Sequence, residues 1–428
     1  MRVCVVGSGG REHALAHALA RTAEVVVTPG NPGMADPIET TDTPVEDIPA
    51  DLVVIGPEAP LVDGLADRLR ADGRVVFGPG SDGALLEGSK AFMKEVLADA
   101  GVPTARFAAF DAHQVDSALA FLETMPGPWV VKTDGLAAGK GVLVADTLKG
   151  AQADVKAKLS GTAFGEAGRN IVIEEALEGE ECSLLVLCDG TRAVPLLPAQ
   201  DFKRVRDGDR GANTGGMGSY APMPQVRASL VDECMDRAVE PLLAALRARG
   251  IDYRGVLYAG LMLGTDGPKV IEYNVRFGDP EAQAVLPLLS CDAAELFMAV
   301  ATGHLDEVRP PTFLPRSSVC VVMASQGYPE RPRTGDTIDG LDSAGKLMAP
   351  VEDVTVFHAG TSRVGNGPFR TAGGRVLDVT AVAPTLEQAR ARAYEAVGTI
   401  DFDGMLVRSD IASLAVARAK VREKERAG

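Results

Sequence analysis

The chain has 428 residues and a formal net charge of −16, with 43 Lys and Arg against 59 Asp and Glu. At about 150 residues per domain this is enough for roughly three separate cores, and 46% hydrophobic with 24% charged residues excludes intrinsic disorder. So acidic a chain repels phosphate backbones, which excludes nucleic acid as a partner but leaves a small phosphorylated substrate open to a local group of cations.

RVCVV (2–6) reads as a short buried strand, since only four apolar residues precede glycine; it is neither a signal peptide nor a membrane span. It closes on GSGG and leads into REHALAHALAR, with alanine and leucine at helical spacing. EVVVT (24–28), DLVVIG (51–56) and RVVFG (74–78) close on similar turns. Four such runs with helical segments between them predict an open α/β sheet over residues 1–90, with its ligand at the carboxyl ends of the strands. GSKAFMKEVLADAGVP (88–103) predicts an amphipathic helix stopped by Gly101 and Pro103. Strands then dominate: ARFAAF, PWVVKTD, GVLVAD, NIVIEEAL, ECSLLVLCDG and AVPLLPAQDF, followed by GVLYAGLML and KVIEYNVRF as an antiparallel pair around TDGP. Residues 91–310 are expected to form a large α+β domain with a mobile lobe near 110–180. The Pro-rich DEVRPPTFLPRS ends it, and SVCVVMAS, DVTVFHAG, GRVLDVTAVA and the helix TLEQARARAYEAV predict a mostly antiparallel domain over 311–428. Six cysteines, mostly in apolar runs and without a C-x-x-C pair, argue for buried free thiols in a reducing cytoplasm.

GSGGRE (7–12) is not a dinucleotide fingerprint, because position 12 is Glu where G-x-G-x-x-G needs glycine. The turn still offers the backbone N–H groups of Gly9 and Gly10 at a helix N-terminus, and Arg11 adds charge, which suits a phosphate. GNPG (30–33) and GPEAP (56–60) converge on the same sheet edge, making Glu12, Asn31 and Glu58 candidates for sugar hydroxyls.

KTDGLAAGKG (132–141) places Lys132 at a strand end and Lys140 in a glycine turn. Lysines number only 12 against 31 arginines, and these two flank a small-residue loop able to close over phosphates. A Lys head follows a moving phosphoryl group as a point charge. In IVIEEALEGEECSLLVL (171–187) the extended edge bearing Glu174, Glu175 and Leu177 suits adenine, and Glu181 is placed to accept from ribose hydroxyls. In VIEYNVRFGDPE (270–281) Glu272 and Asn274 share one strand face. Two oxygen ligands there suit Mg2+ or Mn2+ bridging ATP phosphates, and Arg276, on the same face, can reach the phosphate chain or a developing acyl phosphate. NTGGMGSY (213–220) reads as a mobile cover, with N–H groups at Gly215 and Gly216 for a small carboxylate; a plain disordered loop is the alternative.

These residues resemble the glycinamide ribonucleotide synthetases, also called phosphoribosylamine–glycine ligases, of the ATP-grasp superfamily. The matching segments are VVGSGGREHALA, PGNPG, VVIGPEAPL, LEGSKAFMK, VKTDGLAAGKGV, VIEEALEGEE, NTGGMGSYAP, LYAGLM, VIEYNVRFGDPE and VFHAGT, in family order over nearly the whole chain. The resemblance implies an N-terminal α/β pre-ATP-grasp domain, a central ATP-grasp fold with a mobile B lobe, and a C-terminal domain. It implies that ATP, glycine and 5-phospho-D-ribosylamine give N1-(5-phospho-D-ribosyl)glycinamide, ADP and phosphate, the second step of de novo purine synthesis. Glu272 and Asn274 would be the metal ligands, and Lys94, Lys132, Lys140, Glu174, Leu177 and Glu181 would line the nucleotide site. Lys132, Lys140 and Arg276 would act on the transferred group. Asp201, Lys203 and Asp279 join the substrate candidates, and Asp201 and Asp279 are also candidate bases, although no spacing places either beside the amine.

Two positions depart from the family pattern. Thr133 stands where alanine is more frequent, and the strand YAGLML lacks the second metal-binding acid of many ATP-grasp enzymes, leaving the number of metal ions open. The competing readings are another ATP-grasp carboxylate–amine ligase and a catalytically inactive nucleotide-binding regulator. The GSGGREHA start opposes the first, and an intact set of cations and metal ligands opposes the second. The expected setting is a cytoplasmic monomer without membrane contact, with transient contact to neighbouring purine-pathway enzymes.

Overall fold

The computed structural model describes residues 1–34, 37–135, 141–163 and 169–427. Its first sheet is wholly parallel, in the spatial order Ile38–Thr40, Glu24–Pro29, Arg2–Gly7, Leu52–Ile55, Val76–Phe77. The central strands are covered on both faces, so they read as continuous apolar runs without alternation. Ile38–Thr40 went unforeseen: it has three residues, two of them exposed, too few to show a period. Strand order reverses between Arg2–Gly7 and Leu52–Ile55, which opens a crevice at their carboxyl ends. The turns GSGG, PGNPG and GPEAP all lie there.

The central sheet is antiparallel, in the order Ala193–Pro195, Glu180–Asp189, Arg254–Gly264, Gly267–Asn274. The last two strands form the expected hairpin, whose register sets Glu272 opposite Gly260 and Asn274 opposite Tyr258. A smaller antiparallel sheet, Phe107–Asp111, Asn170–Glu175, Trp129–Thr133, Val142–Ala145, makes the lobe. The helices Val115–Glu123 and Leu148–Leu159 cover it, and Leu122, Val131, Val155, Ile171 and Ile173 give it a core of its own. A unit with its own core can move as a body.

The third sheet runs Gln200–Asp201, Gly218–Ala221, Ser317–Ala324, Arg375–Ala383, Val354–His358, all antiparallel. Its first two strands come from the middle of the chain, which corrects the reading of NTGGMGSY as a mobile cover. Met217 and all of Gly218–Ala221 are buried, and the segment pairs on both sides. Gly218 serves close strand approach, since a Cβ there would stand 2.7 Å from the Cys320 carbonyl oxygen. No described helix is long and apolar enough to cross a membrane.

The first and third sheets are joined through the end of Val354–His358. The His358 N–H donates to His13 Nδ1 at 2.9 Å, and Asn31 Nδ2 donates to the His358 carbonyl at 2.8 Å. Burial lowers the His358 imidazole to about 4 and holds His13 well below its ordinary value of 6.5. An unfolded chain takes up these protons near pH 6.5 while the folded one refuses them, so stability falls as pH drops from 6.5 towards 4. His358 alone contributes a loss of about 2 kcal/mol by pH 5. We expect the urea midpoint to fall between pH 7 and pH 5, and to fall less in His358→Gln; identical falls in the two proteins would contradict the assignment.

Candidate functional site

Lys94 lies on the helix Lys90–Ala100, whose first turn is capped by Ser89 accepting from the Phe92 N–H at 3.1 Å. Its ammonium is fully buried and meets Glu174 Oε2 at 2.9 Å, while Lys132 Nζ meets Glu174 Oε1 at 2.8 Å. One lobe carboxylate thus holds two lysines, one from the body and one from the lobe. Burial pulls Lys94 down to about 8, against the opposing pull of Glu174. Lys132 Nζ also donates to the Ile271 carbonyl at 3.0 Å, directly before Glu272. Lys140 lies outside the described residues. Glu175 accepts from the Arg106 N–H at 3.0 Å, which commits that oxygen to the neighbouring strand. Leu177 sits half-buried in the connection between the lobe and the strand Glu180–Asp189.

On the strand face that Glu272 shares with Asn274, Lys203 Nζ stands 3.2 Å from Glu181 and 3.6 Å from Glu272. Burial would raise the Glu272 carboxyl, but Lys203, then Lys132, Lys90 and Arg276, bring it down to about 2. Glu272 is therefore an anion at any working pH. With the Asn274 amide it forms a pair of hard oxygen donors on one strand face, a set that fits Mg2+ or Mn2+ when phosphates and water complete the shell. No group of three or more acidic, His or Cys side chains able to hold a metal ion occurs among the described residues.

Arg276 does not stand free. It donates to Glu87 Oε1 at 2.9 Å and Glu58 Oε2 at 3.3 Å, with Asn274 Oδ1 at 3.5 Å. Burial raises Glu87, which Arg276 opposes; burial also acts on Glu58, but Arg276 and Arg11 carry that carboxyl below its ordinary value. Glu87 was missed in the sequence because one acid in LEGSK carries no spacing signal.

At the crevice of the first sheet several expectations change. Arg11 is 7% exposed; its Nε donates to Glu12 at 2.6 Å and its Nη1 to the Phe277 carbonyl at 3.2 Å. Glu12 accepts the Gly9 N–H at 2.7 Å, and its side chain fills the space where a Cβ on Gly7 or Gly56 would stand. The helix N-terminus is thus met by the protein's own carboxylate, and Arg11 is that carboxylate's partner. Asn31 is likewise spent, donating to the Ser8 and His358 carbonyls and accepting from Gly33. The Gly215 N–H donates to the Tyr328 hydroxyl at 3.0 Å and the Gly216 N–H to Thr214 Oγ1 at 3.0 Å, so neither amide is offered to a carboxylate here. Arg11→Ala should lower stability by about 3–5 kcal/mol, the cost of stranding a buried carboxylate. A raised sugar KM with an unchanged melting temperature would instead restore the phosphate reading.

Asp201 lies beside Gly216, and its carboxyl is pushed well above its usual range by burial and by Glu281. Asp279 is held by Gln283 Nε2 at 2.7 Å and by Arg375 at 3.1 Å. Gln283, Arg375, Glu281 and Asp378 were not singled out in the sequence; each is a lone polar residue in an apolar or turn segment, and only the fold gathers them.

An antiparallel lobe that sets Lys132 against an E-x-N strand, behind a parallel N-terminal sheet, defines an ATP-grasp enzyme. The chain belongs to the phosphoribosylglycinamide synthetase family: residues 1–87 match its N domain, 88–282 its ATP-grasp (A) domain and 318–414 its C domain. It is 45% identical over 424 residues to the phosphoribosylamine–glycine ligase of Caulobacter vibrioides, covering 96% of this chain and 97% of that one. The protein of the same name from Streptomyces coelicolor is 46% identical over 429 residues, covering 97% and 99%. Among solved structures, the phosphoribosylamine–glycine ligase of Thermotoga maritima superposes with a TM-score of 0.81 at 34% identity, covering 96% of this chain and all of that one. The biotin carboxylase domain of Hydrogenobacter thermophilus 2-oxoglutarate carboxylase, at TM-score 0.69 and 18% identity over 95% and 91% of the two chains, shares the fold.

Proposed function

We propose that this chain joins glycine to 5-phospho-D-ribosylamine at the expense of ATP, giving phosphoribosylglycinamide, ADP and phosphate. The observation that carries the reading is the contact of Lys132 with the carbonyl of Ile271, which brings the lysine we assign to the phosphates beside Glu272, assigned with Asn274 to the metal. Family membership supports the choice of substrates.

A carboxylate resists attack by an amine because its leaving group would be an oxide. Transfer of the γ-phosphoryl group to glycine's carboxylate makes an acyl phosphate, which the amine can attack with phosphate leaving. Lys94 and Lys132, held by Glu174, offer fixed positive charge to the phosphates, and Lys140 is assigned the same task from the glycine turn. Glu175, Leu177 and Glu181 are assigned to adenine and ribose, and Lys203 with Asp201 to the region between Glu181 and the acceptor. Arg276, shared between Glu58 and Glu87, is positioned rather than mobile and can steady the acyl phosphate oxygens. A divalent cation on Glu272 and Asn274, Mg2+ or Mn2+, would supply charge compensation for the triphosphate. The lobe, closing as a body, excludes water from the anhydride. Buried free cysteines suit a cytoplasmic setting.

The purified protein should release ADP only when glycine and freshly generated phosphoribosylamine are both present, with amide formed in equal amount. ATP turnover that persists when either is omitted would contradict the ligase reading.

A further inference from the structure

Glu87 enters the chemistry above only as one of two acids that share Arg276, yet nothing local calls for an acid there. It lies in the last turn of the helix Ser81–Gly88, where the carbonyl end of the backbone disfavours a negative charge. Its side chain is only 9% exposed. The groups that hold it come from the end of the strand Gly267–Asn274. Glu87 Oε2 accepts the Val275 N–H at 2.8 Å, and Oε1 accepts from Arg276 Nη2 at 2.9 Å. Burial raises the carboxyl and Arg276 opposes that rise. With one N–H donor on each oxygen and a guanidinium as counter-charge, the contacts fit the ionised form.

A guanidinium carries five N–H donors. In Arg276, Nε donates to Glu58, Nη1 to the Phe277 carbonyl and Nη2 to Glu87. The second Nη1 hydrogen is not used by these contacts and remains for the acyl phosphate assigned to Arg276. The second Nη2 hydrogen faces Asn274 Oδ1, at an N···O distance of 3.5 Å. That is the long limit of a hydrogen bond, close enough to orient the amide and too far to consume its oxygen. A small shift of the guanidinium off Glu87 would close the gap. Arg276 would then occupy a lone pair of the oxygen assigned to the metal, and set like charge beside the cation. Glu58 does not control this distance. It meets Nε at 3.3 Å, is 31% exposed and also faces Arg11 at 3.8 Å, whereas Glu87 holds the nitrogen that faces Asn274.

We propose, resting on the assignment of the metal to Glu272 and Asn274, that Glu87 is a positioning residue that holds Arg276 off the Asn274 amide oxygen and so keeps that oxygen for the divalent cation.

Mn2+ binding to the ADP-saturated protein tests the assignment, read by water proton relaxation, which separates protein-bound from free and nucleotide-bound Mn2+. Glu87→Gln should raise the Mn2+ dissociation constant about tenfold or more, because one amide oxygen replaces two carboxylate oxygens and the counter-charge is lost. Glu87→Asp keeps the charge but is one methylene too short for both contacts, and it should also bind Mn2+ more weakly. In an Arg276→Met background Glu87→Gln should change the constant little, since no guanidinium remains to move. Melting temperatures identify variants that fail to fold, and Glu87→Asp, the mildest change, decides the matter if Glu87→Gln does not fold. Unchanged Mn2+ binding in Glu87→Gln or in Glu87→Asp, or the same loss with and without Arg276, would overturn this assignment only. Mn2+ binding in Glu272→Ala equal to that of the unmodified protein would overturn the metal assignment and this one with it, while amide formation judges the ligase reading separately.

Discussion

Glu272→Ala is expected to lower ADP formation about 10²–10³-fold at saturating magnesium, with the fold intact. The loss follows from removing the carboxylate proposed to hold the metal, since metal and preorganised charge each stabilise the phosphoryl transition state by several kcal/mol. The fold survives because the Glu272 side chain is 29% exposed and Lys203 keeps Glu181 as a partner at 3.2 Å. ADP release within a few-fold of the parent protein would remove Glu272 from the site.

Glu174→Gln should destabilise the lobe by about 3–5 kcal/mol, because it leaves Lys94 and Lys132 buried without their shared counter-charge. The chain's only tryptophan, Trp129, lies in the lobe sheet with its Nε1–H donating to the Leu122 carbonyl, so its fluorescence reports this unit. The Trp129 transition in urea should move to lower concentration. Weaker ATP binding should accompany it, since Lys94, already at about 8, loses the anion that sustains its proton. An unmoved Trp129 transition would show that the two lysines are compensated elsewhere.

How far the sequence disclosed this site depended on whether a residue's role had a local period. Glu272 and Asn274 were legible because alternation in a strand puts them on one face, and the parallel sheet was legible because strands buried on both faces read as unbroken apolar runs. GSGGRE was legible as a helix N-terminus, where Glu12 accepts the Gly9 N–H, but the packing of the Asp378 carboxyl against Gly10, from hundreds of residues away, was not. Glu87, Gln283, Arg375 and Asp378 carry no period, because their partners lie on other sheets. NTGGMGSY misled for a related reason. Glycine permits both a mobile loop and a close strand approach, and only the pairing with Ser317–Ala324 decides between them.

The central claim is that glycine's carboxylate is activated by phosphoryl transfer before the amine attacks, and one isotope measurement tests it directly. Glycine labelled with 18O in both carboxylate oxygens, turned over with ATP and the sugar amine, should give inorganic phosphate containing one 18O per amide formed, because the bridging oxygen of the acyl phosphate leaves with the phosphate. Phosphate free of 18O, with amide formed at the normal rate, would contradict the account.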